Sequence, residues 1–305
     1  MNIKSTGRRF STYLATTAVL LLAIPNMAFA QPAFSKEFIP GAIGPGSTSQ
    51  LVFTIANADL VNPVDDLAFS DTLPAGVTIA TPASASTDCN GLATLSAPDG
   101  GSTISLTDAQ LGVALPAPAG DTICTVSVNV TSSTVGTHSN VSGDLTSDAG
   151  NSGTASDDLI VDEELPGFIK SFSPGSIPLG GTSILTLTLD NSHFGSIDQV
   201  TGTVVLQDKL PAGMKIAAPA NASTDCGLSA FSATLTAVSG TDLIRLTATG
   251  FLPTFPVLSA GSICTVTVDV TTESTGVFVN TTSDLLIDGG PRGFATAGGP
   301  YCLSP

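Results

Sequence analysis

Residues 123–130 read Ile-Cys-Thr-Val-Ser-Val-Asn-Val, and residues 263–270 repeat the pattern as Ile-Cys-Thr-Val-Thr-Val-Asp-Val. In both stretches cysteine and valine occupy every second position, and polar residues occupy most positions between them. Because successive side chains of a strand point to opposite faces, this alternation predicts a strand with one buried face. Its return 140 residues later predicts a repeated fold.

The repeat extends over most of the chain. Four motifs return in the same order, with offsets of 134, 137, 137 and 140 residues. The paired motifs are residues 34–40 with 168–174, 71–76 with 208–213, 86–89 with 223–226, and 123–126 with 263–266. The offsets differ by three residues, so insertions lie between motifs, where loops are expected. We predict two tandem domains, module one (31–163) and module two (164–305), joined by the acidic stretch 162–167.

Strand signals dominate the rest of the sequence. Apolar residues also alternate in residues 51–55 and 185–189, and stretches rich in glycine and proline separate the strands. Helical periodicity is almost absent. Many short strands at this spacing, without crossover helices, predict an all-β protein made of two tandem immunoglobulin-like antiparallel β-sandwiches.

Residues 1–30 have the features of an export signal. Three basic residues precede a short apolar run, and Ala28-Phe-Ala30 supplies small residues for cleavage. The apolar run is too short to span a bilayer. We therefore expect a secreted or cell-surface, extracytoplasmic protein with no membrane span after the signal is removed.

The mature chain is strongly acidic. The signal carries three of the nine basic residues and none of the 25 acidic ones. Such a surface disfavours nucleic acid and anionic lipid as partners. The abundance of threonine, serine, valine and glycine is typical of β-rich extracellular modules. The expected partner is an envelope protein or glycan.

Several motifs together resemble a known family. Both copies begin with Phe-x-Lys-x-Phe-x-Pro, contain an Asp-x-Leu-Pro-Ala-Gly turn and a cysteine pair, and end an alternating strand with Asn57 or Asn191. In these motifs the chain resembles the bacterial Ig-like "conserved repeat" domains of unknown function found in secreted and cell-surface proteins. The resemblance covers nearly the whole mature chain and implies a spacer or stalk role.

Five cysteines in an exported chain predict disulfides. Because the repeat gives each module one pair, we predict bridges Cys89–Cys124 and Cys226–Cys264 and a free thiol at Cys302. Zinc is disfavoured because each module has two paired cysteines and no CxxC motif or paired histidine. The remaining thiol would be available for a disulfide to another chain.

The last strand of module two is predicted to be frayed. At an offset of 140, residues 155–161 correspond to residues 295–301, which read Ala-Thr-Ala-Gly-Gly-Pro-Tyr. Glycine and proline interrupt strand pairing. We therefore expect an irregular edge that leaves Cys302 exposed.

Polar residues occupy positions that are predicted to face the core. Each module places a lysine between two phenylalanines, an aspartate in its turn motif and an asparagine in a later strand, all with inward parity. The candidate triads are Lys36, Asp71 and Asn140, and Lys170, Asp208 and Asn280. These are the components of an intramolecular isopeptide bond of the kind found in Gram-positive pilin domains. The alternative is a buried Lys–Asp ion pair with the asparagine as a hydrogen-bonding neighbour.

No motif typical of an enzyme occurs. The sequence lacks a Gly-x-Ser-x-Gly elbow, a phosphate-binding loop and a metal-spaced histidine pair. Asp65-Asp66 and Asp157-Asp158 could contact calcium, but a solvated edge is favoured because the spacing of a calcium loop is missing. We therefore predict a non-catalytic structural or interaction module without cofactor or metal.

Two other functions remain open. The first alternative is an adhesin that binds glycan or protein through loops at the sandwich ends, for which Phe251 and Phe255 are the candidate aromatic residues. The second is an enzyme acting on envelope polymers. It would need a cleft with paired acids, which the repeat does not supply outside the two triads.

Overall fold

The computed structural model describes a protein built from strands. The described residues are 30–57, 59, 61–113, 122–193, 200, 202–226, 232–250 and 257–303. No helix occurs among these residues. The described part of the chain therefore has no helix that is long and apolar enough to cross a membrane. The predicted export signal lies outside the described residues except for its last position.

Module one contains thirteen of the described strands. They are β1 (Ala33–Ile39), β2 (Ala42–Ile43), β3 (Thr48–Ala56), β4 (Val64–Thr72), β5 (Val77–Ile79), β6 (Ser86–Thr87), β7 (Asn90–Ser96), β8 (Thr103–Leu111), β9 (Ile123–Ser132), β10 (Gly136–Val141), β11 (Thr146–Ser147), β12 (Gly150–Asn151) and β13 (Ser156–Val161).

Module two contains fourteen of the described strands. They are β14 (Gly167–Ser173), β15 (Ser176–Pro178), β16 (Thr182–Asp190), β17 (Gly202–Lys209), β18 (Met214–Ile216), β19 (Ser223–Thr224), β20 (Ser232–Ala237), β21 (Leu243–Gly250), β22 (Ile263–Thr272), β23 (Val279–Thr281), β24 (Leu286–Ile287), β25 (Gly290–Pro291), β26 (Thr296–Gly298) and β27 (Tyr301–Leu303).

The two modules share one sheet topology. In module one the sheet β1-β3-β9-β5, with β6 also on β9, packs against the sheet β12-β11-β4-β8-β7. Module two repeats these sheets as β14-β16-β22-β18, with β19 on β22, and β20-β21-β17-β24-β25. A smaller set of strands completes each module, β10-β13-β2 in module one and the pairs β23-β26 and β15-β27 in module two. Among the described strands the pairing is antiparallel except for β2-β13 and β15-β27, which are parallel.

The alternation that predicts the central strand is confirmed in β9. Cys124, Val126, Val128 and Val130 are fully buried, whereas Ile123 is 57% exposed. In each module, buried residues from both large sheets form one apolar cluster. The fold is therefore two tandem immunoglobulin-like β-sandwiches, each with its own core.

The C-terminal segment of module two is paired, so the prediction of a frayed edge is wrong. Module one uses the single strand β13 to pair with β10 on one side and β2 on the other. Module two makes the same two pairings with two shorter strands, β26 on β23 and β27 on β15. The residues between them are Gly299-Pro300, which interrupt the strand but do not release it.

Cys302 is a core residue, and the prediction that it is exposed is therefore also wrong. It is 6% exposed and belongs to the apolar cluster of module two. Its Cα partner is Ile177, just as Val161 is paired with Ile43 in module one. Cys302 thus occupies the position of a buried valine and takes part in neither disulfide. Its burial disfavours the predicted disulfide to another chain.

The modules contact each other directly. Thr48 and Phe294 exchange two backbone hydrogen bonds, with N···O distances of 2.8 and 3.1 Å. The backbone N–H of Phe168 donates to the Ser47 hydroxyl oxygen at 2.8 Å. Ser47 is completely buried. The junction is therefore a packed contact in addition to the short acidic connection.

Candidate functional site

Lys36, Asp71 and Asn140 converge in the core of module one. They lie on β1, β4 and β10, and they are 7%, 0% and 1% exposed. Lys36 Nζ lies 3.2 Å from Asp71 Oδ1, and Asn140 Nδ2 donates to Asp71 Oδ2 at 2.9 Å. A single carboxyl group therefore holds the amine and the amide at its two oxygens.

Lys170, Asp208 and Asn280 form the corresponding group in module two. They lie on β14, β17 and β23, and they are buried to the same degree. Lys170 Nζ lies 2.8 Å from Asp208 Oδ2, and Asn280 Nδ2 donates to the same oxygen at 3.0 Å. The convergence is thus repeated, although the two partners here share one carboxyl oxygen.

Strand register explains why these side chains meet in an apolar environment. Lys36 lies opposite Phe53 on the neighbouring strand, and Asp71 lies opposite Ile104. Both partners are fully buried core residues. An ionisable group in such surroundings is destabilised in its charged form unless it has a partner.

Burial changes the acidity of both lysines. Desolvation lowers the pKa of Lys36, and the negative charge of Asp71 partly opposes this effect. Desolvation lowers the pKa of Lys170 to about 8, with Asp208 again opposing it. A lysine with a lowered pKa has a larger fraction of neutral amine near neutral pH, and the neutral amine is the nucleophilic form.

Several polar atoms of the triads have no hydrogen-bonding partner. Among the described residues, the buried side-chain oxygens without one include Asn140 Oδ1, Asn280 Oδ1 and Asp208 Oδ1. All three atoms are acceptors, and a carboxylate offers no donor. In both modules the aspartate is bonded to the amide nitrogen of the asparagine, so the carbonyl oxygen of that amide is left without a donor.

The arrangement provides each component of a transamidation. The neutral lysine amine would attack Cγ of the asparagine, forming the Nζ–Cγ bond and breaking the Cγ–Nδ2 bond. The departing Nδ2 takes a proton from the lysine nitrogen, relayed by the aspartate, and leaves as ammonia. No oxidant, metal or cofactor is required for this balance. The same residues in the unreacted state form the buried ion pair.

The structure contains the two predicted disulfides. Cys89 is bridged to Cys124, and Cys226 to Cys264. Among the described residues, the groups of metal-ligand type that lie close enough to share an ion are these two bridges with the adjacent Asp88 or Asp225. Because the sulfurs are bonded to each other, they cannot serve as thiolate ligands.

Asp157 is the site residue that the sequence interpretation missed. Asp157 is half-buried, whereas Asp158 is exposed, and the Asp157 carboxylate accepts a hydrogen bond from the Phe38 N–H at 2.7 Å. Asp157 lies opposite Asn140 in the β10–β13 pair. The sequence could have indicated this position, because Asp157 lies two residues before the buried Leu159 and therefore on the same face of the strand. Phe251 and Phe255, the candidate aromatic residues of a loop binding site, lie outside the described residues.

A comparison with protein families identifies the modules. The family described as "Domain of unknown function (DUF7933)" matches residues 32–161 and again residues 166–297. The chain belongs to this family. Its two DUF7933 copies coincide with the repeat seen in the sequence and in the sheets, and this agreement confirms the tandem organisation. Among curated proteins, none matches the chain.

Several solved structures are similar to the chain at low sequence identity. They include the C-terminal domain of the AgI/II polypeptide BspA of Streptococcus agalactiae, with 13% identity, a TM-score of 0.35, and coverage of 88% of this chain and 100% of that one. The MSCRAMM ACE of Enterococcus faecalis has 11% identity, a TM-score of 0.32, and coverage of 91% and 99%. The collagen adhesin CNA of S. aureus has 11% identity, a TM-score of 0.30, and coverage of 88% and 93%. At these values no site or ligand is transferred to the DUF7933 modules.

Proposed function

We propose that the chain is an exported, non-catalytic structural module of the bacterial cell surface, whose two sandwiches are each closed by a Lys–Asn isopeptide bond. The observation that carries the proposal is the convergence of a buried lysine, aspartate and asparagine in both modules. Two copies of one arrangement, kept while the connecting loops differ in length, support a shared chemistry.

The position of the triads suits a protein that resists pulling. Lys36 lies on the first strand of module one, and Asn140 lies on β10, near the end of the module. In module two the same holds for Lys170 and Asn280. A bond between these strands would carry tension directly from the first strand to a strand near the end of the module, without loading the chain between them. A spacer or stalk in the envelope needs this property.

Covalent stabilisation by disulfides supports an extracytoplasmic location. Both modules contain a bridge between strand β9 or β22 and the segment that follows β6 or β19. Such bridges persist in oxidising compartments and are rare in the cytosol. The acidic surface and the predicted export signal agree with secretion or display at the cell surface.

The decisive experiment is the intact mass of the reduced mature protein. If both bonds form, the mass is lower than the sequence value by two ammonia losses of about 17 Da each. Lys36→Arg and Lys170→Arg should each prevent one of the two ammonia losses, because the guanidinium group stays protonated and cannot attack. Lys215→Arg is the matched control, since this lysine forms an exposed ion pair with Glu273. It should leave both losses in place.

Peptide mapping locates the bonds. Digestion should release branched peptides that join residue 36 to residue 140 and residue 170 to residue 280. An unmodified intact mass would contradict the proposal and leave two buried ion pairs. Folded Asp71→Ala and Asp208→Ala variants should keep the lysine and asparagine unjoined, because the proton relay is missing.

A second candidate function, binding of an envelope glycan or protein, is favoured by one observation. A groove of about 460 Å³ lies at the junction and is lined by residues of both modules. Its lining combines amide and carboxyl groups from Gln50, Asn129 and Asp284 with the ring of Phe294. Glycan-array binding by the wild type that is lost in Gln50→Leu would support this role. Absence of binding to envelope glycans and proteins would contradict it.

A further inference from the structure

The surroundings of the two lysines differ at one register position. In module one the residue opposite Asn140 is Asp157, and in module two the residue opposite Asn280 is Ala297. Asp157 lies on β13 and Ala297 on β26, and each of these strands contacts the strand that carries the lysine of its module. Module one therefore has two carboxyl groups near its lysine, and module two has one.

The additional carboxylate is held in place by the backbone. Asp157 Oδ2 accepts the Phe38 N–H at 2.7 Å, two residues along β1 from Lys36. Desolvation has the largest effect on the Lys36 pKa and lowers it, Asp71 opposes this effect, and the negative charge of Asp157 adds a smaller contribution that also favours the ammonium form. In module two, Ala297 has no charge, and Asp208 is the acidic group that acts on Lys170.

Aromatic contacts add to the difference. Lys36 Nζ lies 5.3 Å from the centre of the Phe53 ring, whereas the residue in the same register position of module two is Leu187. Lys170 Nζ lies 5.8 Å from the ring of Phe172 on its own strand. A cation over an aromatic face is stabilised more strongly at the shorter distance. Both Asp157 and Phe53 therefore favour the charged, unreactive form of Lys36.

We propose that Asp157 slows the cross-linking of module one, so that module two forms its isopeptide bond first. This inference rests on the proposed function, because it assigns an order to the same transamidation. Asp157 is a positioning residue, since it acts through the charge state of Lys36 and takes no part in the bond. In both modules one Nζ–Cγ bond forms, one Cγ–Nδ2 bond breaks and one ammonia leaves.

The lysine must lose a proton before it attacks. In module one the amine is paired with Asp71, is influenced by the charge of Asp157 and lies near the Phe53 ring. In module two the amine is paired with Asp208 and lies near the Phe172 ring. At a pH below its pKa, a lysine has about tenfold less neutral amine for each unit by which a neighbouring charge raises that pKa.

The order can be measured on the full mature chain. The protein is synthesised in a cell-free oxidising system, and its intact mass after reduction is followed with time at several pH values. Lys170→Arg isolates the reaction of module one, and Lys36→Arg isolates that of module two. At pH 7 we expect the half-time of module one to exceed that of module two on the order of tenfold. The difference should shrink as pH rises.

Substitution of the controlling residue tests the cause. In the Lys170→Arg background, Asp157→Asn should shorten the half-time of module one severalfold, whereas Asp158→Asn, which changes the exposed neighbour, should leave it unchanged. The reciprocal Ala297→Asp should lengthen the half-time of module two. Circular dichroism verifies folding of each variant, and either substitution alone is sufficient for the test.

The outcomes separate the two proposals. Ammonia loss at equal rates in both modules, or an Asp157→Asn variant that reacts no faster, would overturn the inference and leave the isopeptide bonds intact. Absence of ammonia loss from every variant would overturn the proposed cross-links, and the inference with them.

Discussion

At the scale of the residue, the buried lysines connect burial to pH dependence. Lys170 has a pKa of about 8 in the folded protein, compared with 10.5 for an ordinary lysine. Between these values the unfolded chain binds more protons than the folded one. Because stability rises with pH wherever the unfolded state binds more protons, an unreacted module two should gain stability from pH 8 to pH 10.5.

We predict this gain for the variant Asn280→Ala, which lacks the amide that the amine would attack. Its Tm, followed by circular dichroism, should be higher at pH 9.5 than at pH 7. The full difference in unfolding free energy has an upper bound of about 3 kcal/mol. The matched control is Asn280→Ala combined with Lys170→Met, which should show no such gain. Equal pH profiles for the two variants would show that the lysine is not the cause.

At the scale of the element, the disulfides anchor the central strands β9 and β22. The bridges span sequence separations of 35 and 38 residues. Loop-closure entropy for loops of this length corresponds to about 4 kcal/mol per bridge. We predict that replacing Cys89 and Cys124 together by alanine lowers the stability of module one by up to this amount. Urea unfolding measures it, and an unchanged midpoint would contradict the prediction.

The strand β27 supplies a second prediction at this scale. Since Cys302 occupies the position held by Val161 in module one, Cys302→Val should change the unfolding free energy by less than about 1.5 kcal/mol. Cys302→Asp should destabilise module two severely, because it buries a charge without a suitable partner. Hydrogen exchange at the amides of β26 should be slow in the wild type. Equal stabilities of the two variants would mean that the position is accessible to water.

At the scale of the whole molecule, the junction determines how the modules are arranged. A Cβ atom at Gly44 would lie 2.2 Å from the carbonyl oxygen of Pro166, so the close approach of the two modules depends on glycine here. Gly167 is equally constrained by the Pro45 carbonyl at 2.3 Å. These contacts, added to the backbone hydrogen bonds of Thr48, keep the modules in one orientation.

We predict that Gly44→Ala loosens the junction and leaves each sandwich folded. Small-angle X-ray scattering should give a larger radius of gyration for this variant than for the wild type, with unchanged circular dichroism. Gly175→Ala is the matched control, because a Cβ at that position meets no atom within 4 Å. An identical scattering curve for Gly44→Ala would show that the junction does not depend on this contact.

The sequence by itself determined the features that depend on local periodicity and on the repeat. Alternation of apolar residues indicates the strands, parity indicates that Lys36 and Asp71 face the core, and duplication indicates which cysteines are paired. These inferences succeed because a strand has a fixed period of two and because both copies obey the same constraint. The all-β tandem organisation was therefore predictable without coordinates.

Only the tertiary structure decided which strands, distant in the sequence, pair with each other at the edges of the sheets. Gly299-Pro300 predicts a broken strand, but only the positions of β15 and β23 show that both halves find partners. The sequence predicts a solvated acid at Asp157, whereas the structure places β13 beside β1, where Asp157 accepts a backbone hydrogen bond. The contact of Thr48 with Phe294 joins residues far apart in the chain, and no local pattern encodes it. Such pairings depend on which backbone groups remain unsatisfied after each sandwich has folded, and that is a property of the assembled fold.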